Sequence, residues 1–327
     1  MTIQQLLKTA PVTTLLLISF IGLFVIQVLT GVDANNPSTE MLIKWGANAL
    51  PFTMGDEPWR LVSSAFLHIG LMHLLFNGFA MYFFGQIAEP MFGSAKFLAL
   101  FLLAAIGGNL LNSYVIWQGI LEGTGQAGLS AGASGGIMGI GAALLVAAFF
   151  KISVNGLMLN LRSLLIIMGI NLVYGFAVPG IDNAGHIGGA MTGLIIALAF
   201  AIAYRQRMII AQQNIPIPQH PYPMNEPSPY RAHDQDTYQT HYIDQPSDVD
   251  ASYPSDHNAE FDTNDTSTLD KTLNTAHDPI VSHEPQTKPS LLWILLPWIV
   301  MLLISVGFVW WWQDIHYQIV EVLKTIE

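Results

Sequence analysis

Cysteine is absent from the 327 residues, which excludes disulfides, zinc ribbons, iron–sulfur ligation and thiol catalysis. Charge is scarce as well. Asp, Glu, Lys and Arg make up 11% of the chain, against roughly 25% in an ordinary soluble domain. A water-soluble globular enzyme of this length would lack the charge to cover its surface, so that class is excluded. Basic residues are the scarcer sign, 12 against 23 acids, and the formal net charge of -11 argues against nucleic acid as a partner. Glycine is missing from one long stretch. Residues 205–290 contain none, yet hold 11 of the 18 Pro, 6 of the 10 His and 13 acids, whereas residues 1–204 carry 27 of the 28 Gly and only 7 acids. There is no His-Glu-x-x-His zinc motif and no intramembrane Asp pair, and neither a metal nor an organic cofactor is expected.

Apolar sequence is abundant, at 52% of the chain. A bilayer core takes about 20 apolar residues per helix. Seven such stretches occur, over 12–31, 69–88, 95–117, 131–150, 157–177, 184–204 and 291–312. The first outruns the roughly 7–15-residue apolar core of a signal peptide and is read as a span. The expected fold class is therefore all-α and polytopic. A six-helix membrane domain covers 1–204, an acidic Pro-rich linker 205–290, a seventh transmembrane helix 291–312 and a short tail 313–327. The linker cannot bury enough apolar surface to offset its chain entropy and is expected to be disordered. Its irregularly spaced His220, His233, His241, His257, His277 and His283 read as solvated polar groups rather than a metal site. Lys8, Lys96, Lys151, Arg205, Arg207 and Lys288 all fall on one side of this arrangement. The positive-inside rule puts that side, with the N-terminus and linker, in the cytoplasm, and the C-terminal tail outside. The long outer loop, 33–67, carries Trp45, Phe52 and Trp59 and suits the membrane interface.

An ionisable or strongly polar group within a span is a functional candidate. The second span holds His73 and Asn77, four apart and so on one helix face. The fourth opens with Gly132, Ala133, Ser134, Gly135 and Gly136, and the sixth with Gly185, His186 and Gly189. Spans two, four and six run in the same direction, and each polar group stands near its span's start, so all four occupy one shallow layer below the outer surface. The small-xxx-small faces of spans four and six permit close backbone approach. A Ser and a His on such helices can form a nucleophile and its general base. The Ser134 amide, His73 and Asn77 are then available to hold an oxyanion. Each feature alone also has a plain structural reading: Ser bonding the preceding turn, Asn bridging helices, His relaying a proton. Asp182, four residues before His186, reads as an exposed loop acid, with a triad acid as the alternative.

The combination resembles the rhomboid intramembrane serine proteases. The resemblance covers about residues 1–204 and rests on Trp59-Arg60, His68-x4-His73-x3-Asn77, Glu89-x3-Gly93, Gly132-Ala133-Ser134-Gly135 and His186-x2-Gly189-x3-Gly193. It implies a serine endopeptidase of a bacterial inner membrane that cleaves transmembrane protein substrates within the lipid bilayer. It also implies Ser134 as nucleophile, His186 as base, and His73, Asn77 and the Ser134 amide as oxyanion hole. Trp59 and Arg60 match a motif that shapes the first loop, and Phe76 a position at the lateral substrate gate. Met138, grouped here with the gate, stands where many relatives carry an aromatic on which the catalytic His stacks. The seventh helix matches a six-plus-one arrangement. It contains no charged residue over 291–312 and reads as an anchor or partner-contact helix without a catalytic part. The rival readings are a catalytically inactive relative acting as a membrane chaperone or adaptor, and a proton-coupled transporter.

Overall fold

The computed structural model describes residues 3–152, 159–177, 182–213 and 290–326. In chain order its elements are α1 (Ile3–Thr9), α2 (Pro11–Leu29), α3 (Thr39–Lys44), β1 (Asn48–Ala49), α4 (Leu50–Thr53), α5 (Arg60–Ser63), α6 (Leu71–Phe92), α7 (Ser94–Leu121), β2 (Leu129–Ser130), α8 (Ser134–Phe149), α9 (Leu161–Ala177), α10 (Asn183–Gln213) and α11 (Leu291–Ile326). Among the described residues the fold is all-α apart from one two-residue antiparallel pair, β1 with β2. Among the described residues five helices, α2, α6, α7, α10 and α11, are long and apolar enough to cross a membrane, and α8 and α9 are shorter apolar helices. The protein is a multi-pass membrane protein.

Two boundaries differ from those read off the sequence. α10 does not stop at residue 204 but continues through Arg205 and Arg207 to Gln213. Long basic side chains at a helix's end let it extend into water without breaking. Residues 313–326 are no separate tail either, because α11 continues unbroken to Ile326. Hydropathy falls at Gln313 and Asp314, but nothing there breaks a helix. The linker residues 214–289 lie outside the described residues.

α8 forms the centre. Twelve of its 16 residues are buried, mainly against α7 and α10. Sixteen residues make a helix about 24 Å long, shorter than the roughly 30 Å bilayer core, so one end of α8 lies below the membrane surface. The main core runs through Phe20, Phe84, Phe97, Phe101, Ile140 and Leu144. A second, smaller core joins the first loop, α7 and α11 through Leu50, Met54, Leu61, Leu110, Trp117 and Ile315.

At the other end of the bundle Glu89 is buried and ties three helices. Its carboxylate accepts the Val12 amide (2.9 Å), the Thr13 amide (2.7 Å) and hydroxyl (2.8 Å), and the Ser94 hydroxyl (2.6 Å). The two amides belong to the first turn of α2, whose donors have no intrahelical partner and favour an anion. Glu89→Gln replaces one acceptor oxygen with a donor facing donors. It is expected to destabilise the fold by about 2 kcal/mol, read as a lower midpoint in detergent unfolding. An unchanged midpoint would show that the carboxylate is dispensable.

Candidate active site

The first turns of α6, α8 and α10 adjoin one another at one end of the bundle. Ser134 is the first residue of α8 and His186 lies in the first turn of α10. What brings these turns together is glycine. Gly189 faces the backbone carbonyl of Gly135, Gly193 that of Gly139, and Gly135 comes close to the Gly185 carbonyl. No side chain intervenes on either helix along this seam, so α8 and α10 cross backbone to backbone.

The turn leading into Ser134 requires a second kind of glycine. Gly132 has φ +144°, and a Cβ there would lie 2.6 Å from Cε1 and 2.9 Å from Nε2 of His73. The residue is therefore fixed as Gly by backbone angle and by the ring beside it. The Gly132 amide donates to the Ser64 carbonyl at 2.9 Å. The Ile69 amide donates to His73 Nδ1 at 3.3 Å, so the ring proton sits on Nε2, the nitrogen nearer Gly132. Asn77 is buried and uses Nδ2 to donate to the His73 carbonyl at 2.9 Å. That amide carries a second hydrogen for another acceptor. The Ser134 amide stands in the first turn of α8, where amides lack intrahelical partners and the helix dipole favours negative charge. His73 thus stands beside the Gly132 turn, with Asn77 one helical turn further along α6.

His186 is half-buried, and its Nδ1 is buried without a hydrogen-bond partner. No hydrogen bond joins the ring to Ser134 among the described residues, and such bonds commonly tighten only when substrate binds. Asp182 is not an exposed loop acid. It is half-buried, and its Oδ1 accepts the Gly185 amide (2.7 Å) and Asn112 Nδ2–H (2.8 Å), capping the start of α10. Phe76 is exposed, at 62%, on the outer face of α6, whereas Met138 is buried in the main core. Beside Ser134 lies a cavity of about 20 Å³ lined by Asn109, Ser130, Ser134 and Asp182 among others. That is room for one water among polar partners.

A family model described as Rhomboid domain matches residues 55–203. The rhomboid protease GluP of Bacillus subtilis (strain 168) is 36% identical over 199 residues, which cover 59% of this chain and 37% of that protein. The rhomboid protease AarA of Providencia stuartii is 31% identical over 177 residues, 49% of this chain and 62% of that protein. RHOMBOID-like protein 6, mitochondrial, of Arabidopsis thaliana is 33% identical over 162 residues, 49% of this chain and 50% of that protein. Residues 55–203 are a rhomboid domain. The chain spans less than two thirds of the length of each of these relatives.

The rhomboid domain holds its first loop through Arg60, which is buried. The guanidinium donates to the Ile43 (2.6 Å) and Ala47 (3.2 Å) carbonyls, pairs with Glu57, and lies over the Trp59 and Phe52 rings at 4.8 and 5.2 Å. These contacts tie Arg60 and Trp59 into the first loop. His68, in the turn before α6, is enclosed between Phe20 and His73, each ring centroid 5.3 Å away. Burial foremost, then the His73 ring, push its imidazole down to about 3, with a backbone group of Phe66 opposing slightly. It is neutral at ordinary pH and packs as an aromatic. Sequence reasoning missed Asn109. Its Nδ2 donates to the Leu61 carbonyl and Ser64 hydroxyl, both at 2.8 Å, and its Oδ1 accepts the Ser130 hydroxyl at 3.1 Å. The signal was there: Asn109, Asn112 and Ser113 form a polar i, i+3, i+4 face within an apolar span. Among the described residues no group of His, Asp and Glu is arranged to hold a metal ion.

Proposed function

We propose that this chain is an intramembrane serine endopeptidase that cleaves transmembrane protein substrates through a Ser134–His186 dyad. The observation that supports this most is the glycine seam, which brings the first turns of α8 and α10 into backbone contact with a Ser on one and a His on the other. Ser134 Oγ attacks the scissile carbonyl while His186 takes its proton. The oxyanion of the tetrahedral intermediate is held by His73 Nε2–H, the free Asn77 Nδ2–H and the Ser134 amide. His186 then protonates the leaving amine, and water hydrolyses the acyl-enzyme. The polar cavity beside Ser134 suits that water. A helical substrate must unwind first, because its carbonyls are hydrogen-bonded, so small or helix-breaking residues near the cleavage point favour turnover. The gate carries over to Phe76 on the exposed face of α6 and to Met138 from within the core. Charge bias puts the N-terminus and linker in the cytoplasm of a bacterial cell, and the C-terminus outside the inner membrane.

Fluorophosphonate labelling of the detergent-solubilised full chain tests the reading. Wild type is expected to be labelled and Ser134→Ala unlabelled, with both folded. Folded wild type that takes no label would favour an adaptor without catalysis, and proton-driven flux in proteoliposomes with no labelling would favour transport.

A further inference from the structure

α11 packs on the rest of the molecule in both halves, and in its C-terminal half the contacts are polar as well as apolar. Trp312 Nε1–H donates to the Thr53 carbonyl at 2.8 Å. His316 Nδ1 lies 2.6 Å from the Met54 carbonyl. A carbonyl only accepts, so Nδ1 carries the proton. The two rings stack, with centroids 5.2 Å apart and planes 16° apart. Trp117 Nε1–H donates to Gln318 at 3.0 Å, Trp311 packs on Tyr114, and Ile315 is fully buried. The N-terminal half is different: Met301 is buried in the main core by apolar contact, while Leu291, Leu292, Leu302 and Leu303 are exposed, as befits a lipid-facing anchor. An interfacial tryptophan belt would need only rings at the membrane surface, which the exposed Trp310 supplies. It would not need directed hydrogen bonds to two carbonyls of the first loop.

Those two carbonyls lie close to the Ser134 turn along the hydrogen-bond network. Thr53 and Met54 close α4, and the Thr53 hydroxyl accepts the Ala49 amide at 3.0 Å. Ala49 and Asn48 are β1, which pairs Ala49 with Leu129 and Asn48 with Ser130 of β2. β2 runs directly into Gly132 and Ser134. Asn48 is also bonded to Ser113 of α7 at 3.3 Å. From α11 to the Ser134 turn there is therefore a continuous series of hydrogen bonds and one strand pair.

We propose that the outer half of α11 is a clamp on the active site. Trp312 and His316 hold the end of α4, which positions β1 and β2 and so the Gly132–Ser134 turn against His73. Both are positioning residues, and neither reaches the reacting atoms. The catalytic consequence rests on the dyad reading above. It replaces the expectation of a seventh helix without a part in catalysis.

The test uses the full chain with His316→Leu combined with Trp312→Phe, which removes both hydrogen bonds and keeps apolar bulk. His316→Asn is the conservative variant, because its amide can donate from about the position of Nδ1. Trp310→Phe is the control. The double variant should label at Ser134 to the same final amplitude as wild type but roughly tenfold more slowly. Turnover number should fall alike, with KM changed less than about twofold. His316→Asn combined with wild-type Trp312 should label close to the wild-type rate. A reduced amplitude at unchanged rate would mean that α11 only stabilises the fold, and an unchanged rate and amplitude would mean that it is only an anchor. Either overturns the clamp, as does His316→Asn labelling as slowly as the double variant. If wild type takes no label, the dyad reading fails, and the clamp is judged by amide hydrogen exchange over 48–54. Exchange there should rise at least about tenfold in the double variant, and unchanged exchange refutes the clamp.

Discussion

His186→Ala is expected to abolish turnover of a membrane-embedded substrate, by about 10⁴-fold or more, in folded protein. Combining it with Ser134→Ala should cost hardly anything further. The two act as one unit: without the imidazole the hydroxyl keeps its proton, and without the hydroxyl the base has nothing to activate. The Asp182 geometry sharpens this. A triad would add an aspartate hydrogen-bonded to the ring, but Asp182 Oδ1 accepts the Gly185 amide and Asn112 Nδ2–H, and His186 Nδ1 has no hydrogen-bond partner. Kinetics of the two single variants and the double variant, in one detergent and with folded fraction measured, decide the matter. Activity in His186→Ala above about a tenth of wild type, or an additive loss in the double variant, would remove His186 from the role of base.

The spans were legible because apolar length is a local property, written in consecutive residues. The adjacency of the first turns of α6, α8 and α10 was legible for a related reason. Span order fixes direction, and distance from a span's start fixes depth. The glycines of 132–139 and 185–193 then mark the helices able to touch. What was not legible is lateral contact between distant segments. Trp310, Trp311, Trp312 and His316 have the composition of an interfacial belt, yet two of them, Trp312 and His316, are donors to Thr53 and Met54, 259 and 262 positions away. Composition cannot separate those uses. Asp182 was misread for a similar reason, since a carboxylate capping a helix and one pointing into water look alike until the partner amide is known.

Gly189→Ala is expected to have an effect far out of proportion to one methyl group. The new Cβ would be driven into the Gly135 carbonyl, and backbone, unlike the far end of a side chain, cannot swing aside. The collision is relieved only by moving α10 away from α8, which carries His186 away from Ser134. A displacement of about 1 Å at a reacting pair can cost on the order of 10²-fold in rate, and overpacking a close-fitted interior costs about 1–3 kcal/mol in stability. Both losses are expected together, as slowed fluorophosphonate labelling and a lowered midpoint of detergent unfolding. Gly22→Ala is the matched control. It too lies in a membrane-spanning helix, α2, but a Cβ there meets nothing within 4 Å, and alanine has the higher helix propensity, so its midpoint should hold or rise slightly. The seam accounts for the closeness of the two catalytic candidates only if the two variants diverge. Should Gly189→Ala label and unfold like Gly22→Ala, the helices tolerate separation, and the proximity of Ser134 to His186 must come from some other contact.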